Sequence, residues 1–275
     1  MSNNYKQSRY DKCLYMKTIG NQNCYILIYV DDLIIASNSS TEINNIASKI
    51  GSNFEMKCLG DIKQFLGMEI EQNHDGDFLL SQRNYIDKIV EDCGLINGKL
   101  SRFPLDTGYE KLTSDKLMDN NKIYQKIIGQ LLYLSTNTRP DITASVSILS
   151  QRMSKPRDID LTEVKRVVRY LKGTRQYRLR LSSNALEQNL IMYTDANWAE
   201  NKIDRKSNSG YIIMLNGGTI TWACRKQACV SLSSTEAEYI ALSEGCQELK
   251  WIKGSCKEIN IGIKQPTNIF VDNQS

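Results

Sequence analysis

The sequence predicts an α+β fold in successive parts, and three observations carry that prediction. Apolar runs of strand length crowd the first 82 residues, with one amphipathic helix among them. Helical spacing alone governs the middle of the chain, from about residue 122 to residue 174. Strand-like runs return after Leu190 and are followed by one long helix and a last short strand, an order expected of an α/β unit.

The first part contains CLYMKTI (13–19), CYILIYV (24–30), LIIAS (33–37), FLGMEIEQ (65–72) and DFLLSQ (77–82) as strands. Between them, 41–52 reads as a helix, with Ser40 or Thr41 as its start and Ile43, Ile46, Ala47 and Ile50 on one face. A second helix is predicted over 82–93, where Tyr85, Ile86, Ile89 and Val90 share a face and Gly94 supplies the C-cap. From 97 to 121 the periodicity is lost and Gly98, Pro104 and Gly108 collect, so a linker or surface loop is expected.

Helices follow over 123–138 and 142–153, separated at Arg139-Pro140-Asp141 because the residue before proline resists the α conformation. A third, over 161–174, turns Val164, Val167, Val168 and Leu171 inward and sets Lys165, Arg169 and Lys172 on one positive stripe. The last part reads LIMYTDANW (190–198), then GYIIMLNGGTITWACR (210–225) folded at Asn216-Gly217-Gly218, a long helix from Ser233 to about Ile259, and NIFVDN (268–273). That final strand is expected to be an exposed edge, with dimer contact or local disorder there.

Composition narrows the function. With 41% hydrophobic residues the chain can build a packed interior, and no stretch approaches the ~20 continuous apolar residues of a membrane span, so no membrane partner is expected. The N-terminus lacks a secretory signal, which points to an intracellular, cytoplasmic protein with the nucleus as the alternative. Eight scattered cysteines without a CxxC pair argue against a disulfide framework or a zinc knuckle. The single histidine, His74, sits in QNHDGD, where Asp75-Gly76 reads as a hairpin turn, so hydrolase chemistry that needs a histidine base is not expected. Carboxylates should form any catalytic centre.

Net charge is +4, yet residues 121–180 hold 13 Lys or Arg against four Asp or Glu, or +9, which suggests a polyanion partner. The competing reading of the positive stripe is a solvated face.

Two sets of acids stand out. Asp31 and Asp32 separate two apolar runs, and a hairpin turning at Asp-Asp would lift both carboxylates to its tip, a natural seat for a divalent cation such as magnesium. An ordinary acidic turn is the alternative. Asp195 follows LIMYT, Glu236 lies in the first turn of the long helix, and Asp272 ends NIFV. Two strand-end aspartates and a helix-borne glutamate could meet at the carboxyl end of parallel strands, hold two magnesium ions and hydrolyse a phosphodiester. Against this, Ser233-Ser234-Thr235-Glu236 also fits a capping box, in which the glutamate only satisfies a backbone donor.

The words themselves resemble the Pol polyprotein of copia-type LTR retrotransposons. YVDDLIIAS (29–37), FLGMEI (65–70), LSQRNYIDKIV (80–90), TRPDI (138–142), KRVVRYLKGT (165–174), DANWA (195–199), DRKSNSGY (204–211), SLSSTEAEYIAL (231–242) and VDNQS (271–275) occur in that family's order. The resemblance implies a partial reverse transcriptase palm over 1–96, a linker over 97–121, a basic helical thumb or connection over 122–183 and a ribonuclease H-like α/β domain over 184–275, truncated at its C-terminus. It implies RNA-directed DNA synthesis with Asp31 and Asp32 as metal-binding catalytic residues, and cleavage of RNA in RNA–DNA hybrids with Asp195, Glu236 and Asp272 in that role. The implied cofactor is magnesium, with manganese as its substitute. The implied partners are an RNA–DNA hybrid or template–primer near Lys165, Arg169 and Lys172, and the remainder of a Pol polyprotein or a dimer partner.

The chain also departs from the pattern. The family's polymerase needs a further aspartate from an upstream palm strand and the fingers, and its ribonuclease H uses a fourth acidic position with a strand and helix beyond the third carboxylate. Neither set falls within these 275 residues, so polymerase activity of this segment alone is expected to fail and the hydrolytic centre is expected to be incomplete. Cys58 stands where the family usually has aspartate, and Asp160-Leu161 where it often has His-Trp. The competing readings are a non-catalytic nucleic-acid-binding remnant and a domesticated interaction protein.

Overall fold

The structure is a computed structural model that describes residues 5–20, 22–109, 116–183, 189–199 and 204–272, apart from the side chain of Ile19. Residues 110–115 of the expected linker and residues 273–275 of VDNQS lie outside the described residues. The chain forms two compact units, one of residues 1–65 with 250–263, the other of residues 66–249 with 264–275.

The first unit is an antiparallel sheet with one helix. β1 (Lys6–Gln7), β2 (Leu14–Ile19), β3 (Gln22–Tyr29) and β4 (Asp32–Ser37) lie in chain order, and α1 (Ser40–Gly51) packs on them through Ile46, against Cys24 and Ile26. The helix starts where a hydroxyl can cap it, with Ser39 accepting from the Glu42 amide at 3.3 Å. β5 (Gln64–Phe65) ends this unit's first segment.

In the second unit β6 (Met68–Gln72), β7 (Phe78–Ser81) and β8 (Leu179–Leu181) pair antiparallel. α2 (Arg83–Asp92) follows and closes on Gly94 at φ +66°, whose amide reaches the Glu91 carbonyl at 2.8 Å while the Leu95 amide reaches that of Val90 at 2.9 Å. This is a Schellman stop, which requires a left-handed residue after the helix. α3 (Lys122–Asn137), a 3-10 turn (Pro140–Ile142), α4 (Thr143–Ser150) and α5 (Asp158–Gly173) complete a helical core around Tyr124, Ile128, Leu131, Leu134, Leu149 and Val168, all fully buried. Truncating one of these leucines to alanine should cost about 2–5 kcal/mol.

That core explains why the compact units cut the chain elsewhere than at residue 96. Ile86, Ile89 and Val90 of α2 are buried among α3 and α5, so the segment from residue 66 onward belongs with the helices. The expected linker is also partly built in. Tyr109 is buried and donates to Asp160 at 2.8 Å, and Asp106 pairs with Arg166 at 3.0 Å. Asp160 is the N3 residue of a capping box at the start of α5 and takes Arg157 as its ion partner at 2.7 Å.

Beyond the helices lie β9 (Leu190–Asn197), β10 (Asn208–Leu215), β11 (Gly218–Lys226), α6 (Ser234–Glu258) and β12 (Asn268–Val271). The sheet order is β11-β10-β9-β12, with β12 parallel to β9 and the other pairs antiparallel. Asn216 and Gly217, at φ +53° and +78°, make the two-residue turn that the Asn-Gly pair predicts. α6 can lie close to the sheet because Gly245 carries no side chain, since a Cβ there would stand 2.9 Å from the sulfur of Met192 on β9. β12 forms the edge, and its exposed Phe270 stacks on Tyr193 of β9 at 5.0 Å between ring centroids.

Candidate functional site

The Asp31–Asp32 hairpin forms, but its turn is offset by one residue from Asp-Asp. Tyr29 pairs with Asp32, so the connection is Val30-Asp31 and Asp32 already belongs to β4. Val30 takes φ +53°, an unusual conformation for a β-branched side chain that costs roughly 1–2 kcal/mol, and is 83% exposed. Both aspartates are exposed, and among the described residues neither side chain has a hydrogen bond or ion pair.

The basic stripe is only in part a free surface. Lys172 directs its ammonium at the carbonyls of Leu95, Ile96 and Gly98, which takes up all three of its donors in holding the segment after α2. Lys165 and Arg169 are half-buried and have no such partner among the described residues. Arg139 of TRPDI is fully buried, forks onto Asp141 and donates to Thr174, an arrangement that fixes the break between α3 and α4 to the end of α5.

At the end of the second sheet the parallel register runs from Asn268 opposite Ile191 to Val271 opposite Thr194, and one further step sets Asp272 beside Asp195. Both carboxylates are exposed. The third acid at this place is Glu238. Its Oε1 accepts from the Ala196 amide at 3.2 Å, directly after Asp195, and its Oε2 is buried without a partner. Burial pushes the Glu238 carboxyl above the usual range, and the charges of Asp195 and Asp272 add to the rise against the pull of the Ala196 amide.

Glu236 is not there. It accepts from the Leu232 amide at 2.6 Å while its own amide donates to Ser233 at 3.1 Å, so it serves the helix start. Two residues along an α-helix are about 200° apart, so Glu236 and Glu238 cannot face the same way. A signal for the sheet-facing glutamate was present in the sequence. Ala237, Ala241 and Gly245 form a small-residue stripe that must face the sheet, and Glu238 rather than Glu236 lies on that side.

Asp195, Glu238 and Asp272 are thus gathered by strand register and helix phase, while Asp31 and Asp32 stand as an isolated pair. Among the described residues no three His, Cys, Asp or Glu side chains already stand at metal-ligand spacing. The trio nevertheless offers hard oxygen donors and one buried, unsatisfied carboxylate oxygen, a set that suits a divalent cation.

Residues 1–107 match the family described as reverse transcriptase (RNA-dependent DNA polymerase), and together with the mixed α+β architecture this makes the chain a reverse transcriptase-like protein. It is 36% identical to the uncharacterized mitochondrial protein AtMg00810 of Arabidopsis thaliana, over 84% of this chain and 95% of that one. It is 36% identical to the putative transposon Ty5-1 protein YCL074W of Saccharomyces cerevisiae, over 86% of this chain and 77% of that one. The retrovirus-related Pol polyprotein from transposon TNT 1-94 of Nicotiana tabacum is 34% identical over all of this chain, which spans only 21% of that polyprotein. The chain belongs to the Pol family of copia-type LTR retrotransposons, as its nine motifs implied. Members of the reverse transcriptase family generally use a divalent metal. Among the described residues no helix is long and apolar enough to cross a membrane.

Proposed function

We propose that this chain is the part of a Pol polyprotein that joins the end of a polymerase palm to a ribonuclease H-like centre, and that the centre is Asp195, Glu238 and Asp272. The single observation that carries this reading is the Glu238 carboxylate, buried with one oxygen unsatisfied, beside Asp195 of β9 and Asp272 just past β12. Three acids crowded together repel one another unless a cation joins them or one of them takes up a proton.

The substrate that fits is the RNA strand of an RNA–DNA hybrid. Magnesium, with manganese as its substitute, would supply charge neutralisation and Lewis-acid activation of water there. Asp195 and Asp272 would hold it from the sheet, and Glu238, aimed by the Ala196 amide, would hold it from the helix. Asp31 and Asp32 would serve DNA synthesis in the same way once the remainder of the polyprotein completes their site. Lys165 and Arg169 would lie along the nucleic-acid backbone, whereas Lys172 has a structural task.

The test is the purified chain with a labelled RNA–DNA hybrid and magnesium or manganese. Metal-dependent cutting that is lost in Asp195→Asn and Glu238→Gln and kept in Glu236→Gln would support the catalytic reading. Salt-sensitive binding without cutting would instead assign the chain to non-catalytic nucleic-acid binding. In the same binding assay Lys165→Ala and Arg169→Ala should each reduce the salt slope by about 1. Lys172→Ala should leave the slope unchanged and lower stability by about 0.5–1.5 kcal/mol, because partly exposed carbonyls exchange this donor for water.

A further inference from the structure

Gln227, just past β11, is 2% exposed and forms no hydrogen bond with the Asp195 or Glu238 side chain, yet it bridges the two backbone segments that bring them together. Its Nε2 donates to Ser209 Oγ at 3.0 Å and to the Ala237 carbonyl at 2.9 Å. Its Oε1 accepts from Ser231 Oγ at 2.6 Å, and its amide donates to the Ser207 carbonyl at 2.8 Å. Ser209 is the cross-strand partner of Ala196, the residue whose amide holds Glu238. Ala237 is the residue before Glu238.

We propose that Gln227 is a positioning residue for the carboxylate centre, its side-chain amide tying the first turn of α6 to β10 so that Glu238 meets the Ala196 amide and faces Asp195. The physical reason is specific to an amide of this length. One NH2 group reaches a hydroxyl on the sheet and a carbonyl on the helix together, and the carbonyl oxygen takes the loop hydroxyl between them, so a single buried group fixes three segments. A residue that orients a ligand in this way typically changes metal affinity by 10- to 100-fold when lost. The inference rests on the ribonuclease H-like reading of Asp195, Glu238 and Asp272.

The experiment uses the full chain as wild type, Gln227→Met, Glu238→Gln and Tyr109→Phe, the last removing a buried hydrogen bond to Asp160 remote from the centre. Two quantities are read, manganese affinity by titration calorimetry and the position of the Ala196 amide in proton–nitrogen spectra. Gln227→Met should weaken manganese binding by about 10- to 100-fold and move the Ala196 amide in the same direction as Glu238→Gln. Tyr109→Phe should lower the melting temperature and change neither. If Gln227→Met leaves the Ala196 amide in place, or weakens binding no more than Tyr109→Phe does, the proposal is overturned. If the wild type binds no manganese, the metal reading of the centre fails, and the Ala196 amide still decides the role of Gln227. Should Gln227→Met not fold, Ser209→Ala removes one of its anchors and carries the same two measurements.

Discussion

The two acidic places of this chain differ in what surrounds the carboxylates. At the hairpin tip Asp31 and Asp32 come from adjacent positions, lie in solvent and have no partner among the described residues. At the end of the second sheet Asp195, Glu238 and Asp272 come from two strands and a helix, and the helix member is buried. Water screens the first pair at almost no cost to the fold. The second set holds an unsatisfied buried oxygen, so it alone stores electrostatic repulsion that a cation can relieve. Proximity in sequence therefore says little about which acids are energetically coupled.

Metal linkage gives the largest test of that contrast. At a magnesium concentration about 100 times its dissociation constant, the wild type should gain about 2.7 kcal/mol against urea. Glu238→Gln should lose most of that gain, and Asp31→Asn or Glu236→Gln should keep it. Equal losses at both places would erase the distinction.

Acid and base titrations sharpen it within the second unit. The Ser183 amide, then Arg180, hold the Asp77 carboxyl below its usual range, while burial and its acidic neighbours hold Glu238 above. In metal-free buffer the Asp77 contribution is present above the ordinary aspartate value and is lost as pH falls through the lowered one. Glu238 works the other way, because the folded state binds the extra proton, and stability declines as pH rises from the ordinary glutamate value through the raised one. Urea unfolding over roughly pH 3 to 8 should show Asp77→Asn with less stability at neutral pH and a weaker acid loss. Glu238→Gln should flatten the decline on the other side.

The smallest expected effect lies at the hairpin. Val30→Gly removes the left-handed penalty but adds backbone freedom to the unfolded chain, for a net gain of about 0.5–1 kcal/mol. Urea midpoints would measure it, and the magnesium gain should be unaltered.

Much of this architecture was legible because its causes are local. Asn216-Gly217 can make its turn with both residues left-handed, Gly94 can stop α2, and Pro140 disfavours a helical residue before it, whatever surrounds them. The place of Asp272 just past β12 was legible for the same reason, whereas Asp195 lies within β9, which runs on to Asn197. Lys172 was misleading because its stripe was read from one helix alone, while the carbonyls that take its protons come from 74 to 77 residues away.

By itself the sequence determined the longer elements and their order, but not the short strands β1 and β8 or the exact turn at Val30-Asp31, since the longer elements follow from backbone preferences over a few residues. Only the tertiary structure decided which glutamate of STEAE joins the aspartates. Helix capping is satisfied within one turn and so captures Glu236, whereas the direction of Glu238 depends on which face of α6 the sheet buries, set by contacts with Met192 and Tyr211 far along the chain.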